Sequence, residues 1–167
     1  LYTATMSAVD DDGGAATPDT VTVVVVAAPR RWESNGFWRI NYGGNTPTIA
    51  AEDLACYLQI VSHTSAVFGT GDPVALGSTL DARTILFKDN GTSAELFDRD
   101  LLVAWLNIAN GALPLTTEVD VTGDGVLDGT VAKVLADAEQ VRLDPASTKS
   151  QIDDARKLVN DLAKIAR

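Results

Sequence analysis

The chain has 167 residues, 46% hydrophobic and 22% charged, enough for one ordinary domain with a real core or a small domain plus a fragment of another. Its net charge of −10 and pI near 4.3 exclude a nucleic-acid binder built on a basic stripe, and fit a solvated surface that attracts cations. The longest purely apolar run, residues 23–28, is far too short to span a bilayer, and the lone Cys56 cannot form an intrachain disulfide.

Leu1 is neither an initiator methionine nor the start of a signal peptide, so a cut inside a longer chain is expected. Residues 1–28 read as a β-hairpin. In "LYTATMSAV" Thr3, Thr5 and Ser7 alternate with Tyr2, Ala4, Met6 and Ala8, the two-residue period of a half-buried strand. "DDDGG" (10–14) supplies the turn, and more often than not such an acidic turn is solvated rather than ion-bound. "DTVTVVVVAA" is a second strand rich in β-branched residues, whose alternation fails at Val24 and Val26, so both faces near its end should be covered. A lone hairpin is marginal in water and an uncovered valine strand invites edge pairing, so these strands are expected to complete a sheet upstream or on a neighbour.

"APRRWESNGFWRINYGGNTP" reads as an aromatic-rich linker over 29–47, holding Trp32, Phe37, Trp38 and Tyr42. Trp32, Trp38 and Tyr42 could form a sugar-stacking platform for a glycan. The plainer and favoured reading is an aromatic cap on the next core, because aromatics carry large apolar area.

The pattern becomes helical over 48–167. Leu54, Tyr57, Leu58 and Val61 make one apolar face, with Thr46 or Thr48 as cap, Glu52 and Asp53 at the positive end, and a stop near 63–65. "TLDARTILF" is a short helix or turn. "SAELFDRDLLVAWLNIANG" is the strongest helix, with Ser93 as N-cap, Gly111 just past the end, and a stripe of Phe97, Leu101, Trp105 and Ile108 widened by Leu102, Leu106 and Ala109, which predicts a central position. Asn107 is expected to bond the backbone of a neighbouring loop. "TVAKVLADAEQVRL" and "TKSQIDDARKLVNDLAKIAR" follow as amphipathic helices joined by a break at "DPAS", which implies an antiparallel pair. Thr148 and Gln151 sit at capping-box spacing, and Asp153 with Lys157 makes an i, i+4 pair.

Between the central helix and that pair lies "EVDVTGDGVLDGTV". Calcium takes six to eight oxygens, which a short loop supplies by alternating carboxylates along a tight turn. With Asp120 as position one, Asp124 falls at five, Gly125 at the sharp turn, Val126 at seven, where a carbonyl serves, and Asp128 at nine. Thr122 at three is a weak neutral ligand, and Val131 at twelve replaces the expected acid; Glu118, Asp137, Glu139 or water could substitute. The competing reading is that Asp128 or Thr130 caps the next helix and the glycines only turn the chain. Three carboxylates within nine residues repel one another without a cation, which favours the ion.

Signals for catalysis are sparse. Cys56 lies about 10 Å along the helix axis from His63, too far for a dyad, and reads as a buried small hydrophobe. No G-x-S-x-G, H-E-x-x-H, C-x-x-C or phosphate-binding glycine loop occurs, so a non-enzymatic chain is expected.

Two resemblances add to this. "YTATMSAVDDDGGAATPDTVTV" resembles the last two strands of a PKD-type immunoglobulin-like domain, which implies a chain that begins inside a β-sandwich and lies outside the cell. Residues 36–166, through "GFW", "LLVAWLNIANGA", "DVTGDGVLD" and "AEQVRLDP", resemble a helical module of large bacterial surface proteins, and "DVTGDGVLD" alone resembles dockerin and thrombospondin-type calcium loops. These imply an extracellular or cell-surface structural or adhesive role, with upstream domains or neighbouring subunits as partners. The expected fold class is α+β, with a terminal Ig-like hairpin before a mainly helical domain that carries a calcium loop at 120–131. The alternative is a carbohydrate-binding module of a secreted multidomain protein.

Overall fold

The computed structural model describes residues 2–6, 19–23, 30–44, 46–69 and 73–165. Within them the fold is mainly helical with two small sheets, broadly α+β. Strands β1 (Tyr2–Met6) and β2 (Asp19–Val23) pair antiparallel, from Tyr2 opposite Val23 to Met6 opposite Asp19. The "DDDGG" turn and the valine run from Val24 lie outside the described residues.

Helix α1 (Asn35–Gly43) occupies the stretch expected to be irregular. Its composition hides it, since Asn35, Gly36 and Gly43 all disfavour helix and Gly alone costs about 1 kcal/mol against Ala. Tertiary packing overrides that preference. Ser34 caps the helix by accepting a bond from the Phe37 N–H at 3.3 Å. Trp38 has 0% of its surface exposed, with Phe37 edge-on at 5.2 Å and Tyr57 edge-on at 6.2 Å between ring centroids. At the helix end, Gly43 lies so close to Phe87 that a Cβ would come within 2.9 Å of its ring.

Helix α2 (Ala51–Thr64) buries the four residues its period marked, Leu54, Tyr57, Leu58 and Val61. Its N-cap is Ala50, with no side-chain bond, rather than Thr46 or Thr48. The preceding turn is held from α1 instead. Asn41 accepts from the N–H groups of Thr48 at 2.8 Å and Ile49 at 2.9 Å, and donates to the Phe37 carbonyl at 2.9 Å. Cys56 is exposed, against the expectation of a buried residue. Two residues from Leu54 is about 200° around a helix, on the face opposite the core.

Helix α3 (Thr79–Leu86) is capped by Ser78. Helix α4 (Ser93–Ala109) starts one residue earlier than expected in its cap: Thr92, not Ser93, forms a capping box with Glu95. From Leu101 to Asn107 every residue of α4 is buried, and it packs against α1, α2 and α3. Helix α5 (Val131–Leu143) is capped by Thr130, and α6 (Lys149–Ile165) by the expected pair, the Thr148 N–H and hydroxyl both donating to Gln151 at 2.8 Å. Both helices pack on α4 and on each other. Asp153 pairs with Lys149 one turn before it, not with Lys157 one turn after.

The buried polar groups explain how α4 holds its neighbours. Asp98 takes a two-pronged bond from Arg142 of α5 at 2.6 and 3.0 Å. Asp100 accepts from Arg99 at 2.8 Å and from Arg156 at 2.6 Å and Asn160 at 3.0 Å of α6. Burial pushes the Asp100 carboxyl up, but the bonds from Arg99, Asn160 and Arg156 outweigh it and hold it below the usual carboxylate range. Asn107, fully buried, clamps the Glu33 backbone from both sides, accepting from its N–H at 2.6 Å and donating to its carbonyl at 2.9 Å. That is the loop-backbone bond expected of it. Asn110 accepts from Arg30 at 2.7 Å and from the Tyr57 hydroxyl at 3.0 Å, and Gly111 follows at φ 81°, a helix stop as expected.

Candidate metal centre

The acidic loop runs between strands β3 (Glu118–Val119) and β4 (Gly129–Thr130). These pair antiparallel, Glu118 opposite Thr130 and Val119 opposite Gly129, and so bring the two ends of the loop together at the N-terminus of α5. Closure depends on a close approach. A Cβ on Gly129 would sit 2.5 Å from a methyl of Val121, so only glycine fits there without a shift.

Inside the loop the carboxylates organise the backbone. Asp120 accepts from the N–H groups of Gly123 at 2.6 Å and Gly125 at 2.7 Å, and from the Thr122 hydroxyl at 3.4 Å. Asp124 accepts from the Val126 N–H at 2.8 Å, and Asp128 from the Val121 N–H at 2.7 Å. Gly123 and Gly125 take φ values of 79° and 88°, a region that side chains with a Cβ rarely adopt. The Asp120 carboxyl lies below its ordinary range, first because of the Gly125 N–H, against a smaller opposing effect of burial, and then because of Gly123 and its neighbours.

Asp120, Thr122, Asp124, Val126 and Asp128 thus lie on one exposed turn, but their oxygens do not converge. Among the described residues no three acidic, His or Cys side chains stand close enough to share an ion. The carboxylates point to backbone N–H groups, which leaves each with acceptor capacity, since a carboxylate has about four lone-pair sites. None of the three pairs with a Lys or Arg among the described residues. Of the acids offered for position twelve, Glu139 is buried elsewhere and Asp137 pairs with Lys133 at 2.7 Å. Glu118, exposed on β3 beside the loop, is the one left in reach by sequence. Val131 itself, the first residue of α5, is fully buried.

Glu139 is the acid whose role sequence reasoning missed. It accepts from the Ser65 hydroxyl at 2.5 Å, the Ala66 N–H at 3.0 Å and the Trp105 indole at 2.8 Å, tying α5 to α4 and to the end of α2. Its place on the Val131, Val134, Leu135, Ala138 face was the available signal, because an acid beside an apolar stripe needs buried donors.

The aromatic residues do not form a platform. Trp38 and Tyr42 are core residues, and the Tyr42 hydroxyl donates to the Leu54 carbonyl at 3.0 Å. Of Trp32, Trp38 and Tyr42 only Trp32 is partly open, beside a cleft of about 430 Å³ shared with Asn35, Asp100 and Asn160. His63 is exposed, with Nδ1 2.7 Å from the Gln59 carbonyl of its own helix and 3.5 Å from the hydroxyl of the adjacent Ser62. No helix among the described residues is long and apolar enough to cross a membrane. A comparison with known protein families, curated proteins and solved structures finds no match for this chain.

Proposed function

We propose that this chain is a non-catalytic structural or adhesive module of an extracellular or cell-surface protein, with a structural calcium site in the 120–128 loop. The observation that carries the proposal is the closed acidic turn itself. Asp120, Asp124 and Asp128 crowd one exposed loop without a cationic partner among the described residues, and the β3–β4 pairing ties that loop to the start of α5. Asp120, Asp124 and Asp128 would supply carboxylate oxygens, Thr122 a hydroxyl and Val126 a carbonyl, with Glu118 or water completing the shell. The ion would neutralise the charge of the loop and stiffen the connection that leads from α4 into α5.

Residues 1–28 are proposed as the end of an immunoglobulin-like sandwich that pairs with upstream strands or with a neighbouring subunit, with assembly into a filament or surface layer following from strand addition. The antiparallel β1–β2 register supports the hairpin part of this reading. Sedimentation of the whole chain tests it: concentration-dependent assembly is expected, and a monomer at every concentration counts against it. The carbohydrate-binding alternative retains only Trp32, because Trp38 and Tyr42 present no ring face to solvent.

Calcium titration by calorimetry tests the metal site. Binding to the wild-type chain is expected, lost in Asp124→Asn, which keeps an acceptor for the Val126 N–H but removes a charge. Equal heats for the two chains would overturn the assignment.

A further inference from the structure

One surface of the helical domain is apolar, open and rimmed by acids. Helix α6 buries Ala155, Val159 and Leu162 against the core. Beside that stripe, Asp154, Leu158, Asp161 and Ile165 follow at i, i+4, i+7 and i+11, a second face on which acids and large apolar groups alternate. Leu158 is 38% and Ile165 42% exposed. Opposite them, Val134, Asp137, Ala138 and Val141 share one face of α5, and Val121 of the acidic loop closes the space between. Two adjoining hollows result, of about 340 and 230 Å³, which share Val121, Val134, Asp154 and Leu158 as one continuous groove. From Gln151 to Ile165 its α6 wall is roughly 21 Å long, the length of a helix of about 14 residues.

Charge selects what fits. The lining carries Asp120, Asp137, Asp154 and Asp161 against the single Lys157. Asp137 and Asp161 have lysine partners at 2.7 and 2.6 Å, but these are solvent-exposed pairs of little strength. A second copy of this chain brings a net charge of −10 to an acidic rim, and nucleic acid or an anionic membrane is repelled likewise. We infer that the α5–α6 groove docks a basic amphipathic helical segment of a partner protein, its apolar side chains seated between Val121, Val134 and Leu158 and its lysines or arginines meeting Asp154 and Asp161. Helix-in-groove recognition places apolar anchors at this spacing, and the acidic rim adds orientation and speed of encounter. The groove shares Asp120 and Thr122 with the loop proposed to hold calcium, but its apolar floor and the charges of Asp154 and Asp161 do not depend on the ion.

The test uses the full chain and a fluorescein-labelled 14-residue amphipathic Leu/Lys peptide, with a Leu/Glu peptide of the same pattern as control. Anisotropy at physiological salt is expected to show saturable binding of the Leu/Lys peptide alone, with backbone amide shifts confined to residues around Val121, Val134 and Leu158. Leu158→Lys is expected to weaken binding about tenfold, while Leu80→Lys, the same change at an exposed leucine of α3, weakens it less than about twofold. Asp154→Lys gives the same loss as Leu158→Lys and serves if that variant does not fold. Equal losses in the Leu80 and Leu158 variants would reduce the effect to general charge attraction and overturn the proposal. So would binding of the Leu/Glu peptide, no binding, or self-association of the chain abolished by Leu158→Lys, which would assign the groove to a second copy.

Discussion

Glu139 and Asp120 each accept three hydrogen bonds, yet they do opposite work. Glu139 is buried, its donors come from two distant parts of the chain, the end of α2 and the middle of α4, and it ties both to α5. Asp120 is at the surface, its donors all lie within five residues, and it shapes only its own turn. Around α4 the polar groups are answered by partners brought from far away in sequence, so they fix the fold. In the acidic loop they are answered locally, and charge is left over. Surplus charge on a closed loop is what a cation can use.

The sharpest way to break this contrast is to strip a partner from the interior. Arg142→Ala leaves the buried Asp98 carboxylate unpaired, with an expected loss of about 3–5 kcal/mol in urea unfolding. A loss below about 1 kcal/mol would show that Asp98 reaches water. Next comes Asn107→Ala, which orphans the Glu33 N–H and carbonyl and is expected to cost about 1–3 kcal/mol. Hydrogen exchange at Glu33 should rise in the same variant.

A smaller effect is expected at the α4 cap. Thr92→Ala removes half of a capping box and should cost about 1 kcal/mol. Acid titration probes the other half. The Glu95 carboxyl is pulled from 4.5 down to about 2, first by the Thr92 N–H and then by Lys88 and the Thr92 hydroxyl. Because its folded value lies below its unfolded one, the stability it contributes is complete above about 4.5 and is lost as pH falls toward about 2. In Glu95→Gln the stability curve should be flatter in that window; an unchanged slope would assign acid sensitivity to other carboxylates such as Asp100.

Much of the helical domain was legible from period alone. The faces of α2 and α4, the Asn110–Gly111 stop and the Thr148–Gln151 cap follow from local chemistry, and all are where the sequence puts them. What was not legible needs contacts distant in sequence. Helix α1 carries two glycines and two asparagines and exists because Trp38 and Tyr42 are buried by other elements. The turn before α2 is held by Asn41 rather than by a threonine cap, and Asp153 has lysines at both i−4 and i+4, between which sequence cannot choose. Cys56 was within reach, since its offset from Leu54 places it on the outer face. At the candidate metal site, the spacing of Asp120, Asp124 and Asp128 marks a closed acidic turn, but spacing does not say where carboxylates point. Here they point to N–H groups.

Thermal melting in calcium and in chelator, for the wild-type chain and Asp124→Asn, therefore bears most directly on the account. A site filled at about 100 times its dissociation constant adds about 2.7 kcal/mol, a rise of roughly 5–10 °C for a chain of this size. The account predicts that rise in the wild type, its absence in Asp124→Asn, and matching transitions for the two chains in chelator. A wild-type transition that calcium leaves in place would contradict it and leave the loop as a turn that its own backbone holds closed.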